Sequence, residues 1–299
     1  MKFWLSLVAV HETEQLPQLA RCAEELGFHG LMVGDHLIWP AHIATRYPYS
    51  PDGKIFVPPD TPWPDPWVLF AHLGALCPRL HFASNIYLAA LRDPFTVAKS
   101  VATAAALTQG RIVCGVSAGW LKEEYEIAGV DFASRGPRLD EALTVVRKLW
   151  SGQVVQHAGE RFRFEGIMCP APPAPLRIWC GGGAPAAMRR AAQHDGWLPL
   201  PMTVAQTRAA LSELGAMRRA AGRAAQPFEV ALPLAEPVTQ AAVDAVRALG
   251  IGDLVVIAPW LPSPWDSVTW LDAGDDMSRL ETKRKALERY AAAVLRKVR

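Results

Sequence analysis

Four short stretches hold residues whose types and spacing could carry out chemistry. The first is Gly34-Asp35-His36 with Trp39 one turn on. A carboxylate beside an imidazole can fix its tautomer and tune it as a proton donor near neutral pH. A capping aspartate next to an ordinary polar histidine would have the same sequence. The second stretch is Asn85-Ile86-Tyr87, and the third is Ser117-Ala118-Gly119-Trp120. The fourth, Gly181-Gly182-Gly183-Ala184-Pro185, precedes a helical pattern. Bare amides and the positive end of a helix would converge there on one anion, and glycine lets a phosphate come close to the backbone. A tight turn without a ligand is the plain alternative.

Two rival motifs overlap these stretches. The glycine run matches G-x-G-x-x-A, but residues 201 to 212 lack the acidic residue that a dinucleotide fold places on the ribose. A phosphate cradle is therefore favoured over a Rossmann site. Residues 115 to 119 spell G-x-S-x-G, the nucleophile elbow of a serine hydrolase. The required order of acid and then histidine is missing, since only His157 and His194 follow and His194 comes just before Asp195. His36 and His42 are separated by Pro40 without clustered carboxylates, so no metal is expected. Of the 11 tryptophans, Trp39, Trp63, Trp120, Trp260 and Trp265 fall at strand ends or in a long loop. There they could line an apolar, planar pocket, and Tyr87 joins them as a candidate wall for substrate.

The elements that must position these residues alternate between short apolar runs and longer amphipathic stretches. The spacing predicts strands at Phe3–Ala9, Phe28–Val33, Leu80–Leu88, Arg111–Val116, Leu176–Cys180, Gly196–Leu200, Phe228–Leu234 and Asp253–Ala258. Helical patterns lie at Glu14–Leu26, Pro94–Leu107, Pro137–Trp150, Ala184–His194, Val204–Ala221, Val238–Leu249 and Ser278–Val298. Such alternation forces parallel strands joined by crossover helices, so the fold class is α/β. A single (β/α)8 TIM barrel over residues 1–299 is expected, with a doubly wound open sheet as the alternative. In a barrel, chemistry sits at the carboxyl ends of the strands, where the four stretches fall. A proline-rich segment from Pro40 to Pro66, with Tyr47, Tyr49, Phe56 and Trp63 interleaved, reads as an inserted lid after strand two. Val154–Glu165, with Gly159 near its centre, reads as an exposed hairpin.

Composition narrows the classes. The chain has 299 residues, 51% hydrophobic and 20% charged, with net charge +2 and no run of five like charges. It can bury a large core, and nothing in it advertises a nucleic-acid or membrane partner. The five cysteines, at 22, 77, 114, 169 and 180, show no C-x-x-C spacing and read as small core residues of a cytoplasmic protein. The apolar opening MKFWLSLVAV runs straight into charged residues, which argues against a signal peptide.

Three segments resemble the luciferase-like monooxygenase superfamily in the same order along the chain. They are GFHGLMVGDHLIWP, the block from LRDPFTVAKS through GVSAGWLKEEYEIAGVDFASRGPRLDEALTVVRKLW, and RIWCGGGAPAAMRRAAQHDGWLP. The resemblance implies a barrel that holds coenzyme F420 or FMN at the strand carboxyl ends. The Asp-His-x-x-Trp arrangement looks most like the F420-using branch, where Asp35 would contact the ring system and His36 and Trp39 would face the substrate. By the same resemblance Asn85 and Ile86 would flank a non-proline cis peptide under the ring. Ser117, Ala118 and Gly119 would run beside it, and Gly181 to Pro185 would take the phosphate. Sugar-phosphate dehydrogenases of this branch carry a glutamate directly after the strand-four glycine, where this chain has Trp120. A hydrophobic substrate is expected instead. The resulting expectation is hydride transfer between F420 and a small organic molecule by a homodimer. An FMN-dependent monooxygenase fed by a flavin reductase is the alternative, and a flavin-binding barrel without turnover is a third reading.

Overall fold

The computed structural model describes residues 1–8, 10–50, 52–55, 57–168, 170–262 and 269–298. Eight parallel strands close into a barrel: β1 (Lys2–Ser6), β2 (Gly30–Val33), β3 (His81–Ser84), β4 (Ile112–Val116), β7 (Arg177–Gly181), β8 (Gly196–Leu198), β9 (Glu229–Pro233) and β10 (Asp253–Ile257). Neighbours follow chain order, and β1 closes the ring by pairing with both β2 and β10. The expected (β/α)8 barrel is the observed fold, and the open sheet is excluded. A separate antiparallel hairpin, β5 (Val155–Ala158) with β6 (Arg163–Gly166), lies between β4 and β7 as the sequence pattern required.

The barrel is filled from within by one side chain from each strand: Trp4, Met32, Ala83, Val113, Trp179, Leu198, Ala231 and Val255. Trp4 and Trp179 meet edge to face, with ring centroids 5.6 Å apart. Their bulk is accommodated because Gly30 and Gly196 face them without side chains, and a Cβ at either position would overlap an indole. Each buried indole N–H also finds a carboxylate: Trp4 donates to Asp253 (2.8 Å) and Trp179 to Glu229 (2.9 Å). Burying two tryptophans with their polar atoms satisfied gives the barrel a dense base.

Helices α1 (Leu16–Leu26), α2 (Pro66–Leu76), α3 (Pro94–Leu107), α4 (Lys122–Ile127), α5 (Arg135–Leu149), α6 (Pro185–Ala192), α7 (Val204–Ala220), α8 (Gln240–Ala248) and α9 (Leu280–Tyr290) occupy the connections. Their starts follow local chemistry. Asp65 accepts from the amides of Trp67 and Val68 at the head of α2, and Asp93 accepts from Thr96 at the head of α3. Thr203 and Gln206 form a reciprocal capping box on α7. Helix α2 gave no periodic signal because its run PWVLFAHLGAL is apolar nearly all round.

The third strand is shorter than the expected Leu80–Leu88. It ends at Ser84, and the cis peptide between Asn85 and Ile86 turns the chain before Tyr87 makes an isolated bridge to Val116. The expected lid segment ends one residue early, since Pro66 already belongs to α2. In that segment Tyr47 packs on Trp120 beyond β4, and Trp63 packs on His36 beyond β2. Phe56 and Trp265 lie outside the described residues, as do Ala9 and Cys169. The described cysteines, Cys22, Cys77, Cys114 and Cys180, are buried free thiols, as the core reading expected.

Candidate active site

The loop after β2 sets the centre of the site. Gly34 leaves room for the Trp63 indole, whose nearest ring carbon would stand 3.0 Å from a Cβ placed there. His36 follows at the barrel mouth, and three indoles surround its ring. Centroid distances are 5.0 Å to Trp39, 4.7 Å to Trp63 and 6.3 Å to Trp120, all edge to face. Trp39 and Trp63 lie nearly parallel, 14° apart in plane with centroids separated by 6.1 Å. Tyr47 closes the outer side against Trp120 at 5.0 Å, and burial pushes its phenol up to about 12. The phenol is therefore a neutral group at physiological pH. The Trp63 Nε1 is buried and has no hydrogen-bond partner among the described residues.

The carboxylate that meets His36 is not its neighbour Asp35. Glu124, in the first turn of α4, places Oε2 at 2.9 Å from His36 Nδ1. Asp35 instead points into the barrel wall, where Arg92 binds it through two N–H donors at 2.7 and 2.9 Å and the Leu88 amide adds a third at 3.0 Å. Burial pushes the Asp35 carboxyl up from its ordinary range, and the Arg92 guanidinium pulls against that shift. The idea that Asp35 fixes the imidazole tautomer is thus corrected: adjacency in sequence did not give adjacency of side chains. Neither Glu124 nor Arg92 was singled out from the sequence. The consecutive glutamates after the β4 loop were the only available signal for the first, and none existed for the second.

Other expected residues divide between mouth and core. The Asn85–Ile86 bond is cis, as expected, and Ile86 packs so tightly on Gly181 that a Cβ there would overlap Ile86 Cδ1. Ser117, Ala118 and Gly119 form the turn beyond β4. Gly119 takes a positive φ of 70°, its amide donates to Ser117 Oγ at 3.2 Å, and Tyr125 donates to the Ala118 carbonyl at 2.6 Å. Ser117 has no histidine partner among the described residues: its Oγ meets the Gly119 amide, His157 is paired with Glu141 and with Lys148, and His194 makes no hydrogen bond to Ser117. That arrangement lacks the base a serine nucleophile requires. Tyr87 and Trp260 were expected as pocket walls, but they are only 1% and 2% exposed and belong to the core. Tyr87 sits between the Trp67 ring and the Arg92 guanidinium.

The glycine run expected to take a phosphate, Gly181 to Pro185, divides in two. The Gly182 amide is already donated to the Leu198 carbonyl at 3.0 Å, and the Gly182 carbonyl accepts from the Trp197 indole at 2.8 Å. Gly182 also has φ of 107°, which suits glycine alone. Free amides begin at Gly183 and Ala184, which have no acceptor among the described residues. A Cβ at Gly183 would meet nothing within 4 Å, so the space above it is open. Pro185 opens α6 behind it, with the helix dipole aligned on the same spot. Among the described residues no group of three or more histidine, cysteine, aspartate or glutamate side chains could hold a metal ion. No described helix is long and apolar enough to cross a membrane.

These features coincide with a known protein family. The profile of the luciferase-like monooxygenases matches residues 2–294. An uncharacterized protein of Mycobacterium tuberculosis is 33% identical over 283 residues, 94% of each chain. An F420-dependent glucose-6-phosphate dehydrogenase of Nakamurella multipartita is 30% identical over 189 residues, covering 62% of this chain and 51% of that enzyme. Among solved structures, monooxygenase RslO1 from Streptomyces bottropensis superposes with a TM-score of 0.73 at 18% identity, over 99% of each chain. The F420-dependent tetrahydromethanopterin reductase of Methanopyrus kandleri gives 0.68 at 13% identity, over 100% of this chain and 99% of that one. By its profile match over nearly the whole length and by its barrel, the chain belongs to the luciferase-like monooxygenase family.

Proposed function

We propose that this member of the family is an F420-dependent oxidoreductase acting on a small, hydrophobic organic substrate. The observation that carries the reading is His36, fixed at Nδ1 by Glu124 and enclosed by Trp39, Trp63 and Trp120 at the carboxyl mouth of the barrel. An imidazole with one nitrogen anchored and the other free suits delivery or removal of a single proton beside a redox step. The sequence relative from Nakamurella multipartita, an F420-dependent dehydrogenase, supports the choice of cofactor. The distant solved structures bear on the fold alone.

Gly183, Ala184 and the head of α6 would hold the phosphate of the cofactor, and the turn at Ser117 to Gly119 with the cis Asn85–Ile86 peptide would bound its ring. When bound, the deazaflavin supplies or accepts the hydride. The three indoles exclude water from the reacting face, and Nε2 of His36 is the nitrogen that takes up or gives back the proton. Trp120 offers an apolar wall, which disfavours a sugar phosphate. Titrating the purified protein with F420 and with FMN, while following ring fluorescence, tests the reading. Tight binding of F420 is expected. Tight binding of FMN with none of F420 would instead favour a monooxygenase supplied by a separate reductase.

A further inference from the structure

Two consecutive glutamates in the first turn of α4 hold two different stretches of the segment that follows β2. Glu124 Oε1 accepts the amides of Leu37 (2.6 Å) and Ile38 (3.4 Å), while Oε2 meets His36 Nδ1. Glu123 Oε1 accepts the amides of Ala44 (2.8 Å) and Thr45 (2.9 Å). The Glu124 side chain is fully buried, and that of His36 is 11% exposed. A carboxylate only accepts hydrogen bonds, so the proton on this contact belongs to Nδ1. Nε2 bonds to no protein atom among the described residues.

We propose that Glu124 is a positioning residue that keeps the proton of neutral His36 on Nδ1 and leaves Nε2 as the exchanging nitrogen, while Glu123 pins the base of the segment that covers it. The first part rests on reading His36 as the proton partner. The two roles are separate because the oxygens are. Glu124 grips the backbone on one oxygen and the imidazole on the other, so the loop that carries His36 cannot rotate without breaking both contacts. Glu123 grips the later stretch at Ala44 and Thr45. Through α4, which directly follows the β4 loop and Trp120, the barrel wall thus fixes the imidazole and its cover together.

In Glu124→Gln the amide oxygen would go on accepting from Leu37, which turns the NH2 group toward Nδ1. A donor then faces a donor, and the imidazole must move its proton to Nε2. Histidine ring-15N NMR, at a pH well above the usual imidazole range, reads this directly, with the His36 signals identified by their loss in His36→Asn. The wild-type protein should show a protonated Nδ1 and a bare Nε2, and Glu124→Gln should show the reverse or a mixture. A wild-type Nε2–H pattern, or no change in a Glu124→Gln protein that melts normally, would overturn the proposal. Turnover of Glu124→Gln should fall by about tenfold or more with KM within about twofold, as expected when a base is held in the wrong tautomer. A changed tautomer with full turnover would leave the positioning role standing and remove His36 as proton partner.

Glu123→Gln should keep the wild-type His36 pattern. It should speed trypsin cleavage at the exposed Arg46 and Lys54 by about tenfold, the effect of weakening two charge-assisted hydrogen bonds. Unchanged cleavage would refute the pinning role.

Discussion

Asp35 and Arg92 form a two-pronged ion pair inside the wall of the barrel, with side-chain exposures of only 1% and 12%. The pair fixes the residue immediately before His36, so it bears on the site without entering the reaction as drawn. Removing one partner strands the other charge. Arg92→Met should therefore cost about 3 to 5 kcal/mol in urea unfolding, the usual penalty for an orphaned buried charge. A loss under 1 kcal/mol would show that the pair contributes little.

His36→Ala should separate chemistry from binding. Loss of a positioned proton donor lowers turnover by about 100-fold or more, while cofactor affinity should stay nearly constant. Steady-state kinetics and a fluorescence titration on the same preparation decide it. Abolished binding with turnover retained at saturation would reverse the assignment.

The glycine cradle is tested by comparing adjacent positions. Gly183→Val introduces a side chain into open space and should leave the melting temperature almost unchanged. Cofactor affinity should fall by about 1 to 3 kcal/mol, as one or two phosphate hydrogen bonds are lost. Gly182→Val should instead destabilise the fold, because φ is 107° there and the new side chain would crowd Ala187. Equal cofactor affinities in wild type and Gly183→Val would move the phosphate elsewhere.

Stability should weaken on mild acidification through His29. Burial pushes this imidazole down to about 3, and His81, Lys2 and Arg177 add repulsion to its charged form. His29 stacks on His81 with centroids 4.4 Å apart at the amino end of the barrel. Its ordinary value of about 6.5 applies in the unfolded chain, so the unfolded state binds more protons between those limits. Its contribution is complete above about pH 6.5 and is lost as pH falls toward 3. Melting scans of wild type and His29→Gln should converge as the pH drops from 7 to 4. Parallel curves would contradict the shift.

Much of this architecture was legible in the chain. Eight apolar runs separated by amphipathic stretches left little choice of fold, and Gly-Asp-His, the cis-forming Asn85–Ile86 and the glycine run marked three strand ends that the structure gathers at one mouth. What stayed hidden was pairing across long separations. Glu124 meets His36 from 88 positions away, and Arg92 meets Asp35 from 57. Local pattern carries no information on such contacts, which depend on where β3 and β4 deliver their loops. The same limit explains Tyr87 and Trp260: a strand-end position places a residue near the mouth but does not say which way its ring turns.

The paired indoles of Trp4 and Trp179 turn the barrel into a stoppered vessel. The stopper is packed solid, so shortening either indole should be felt as lost stability and not as a change in what the carboxyl rim can hold.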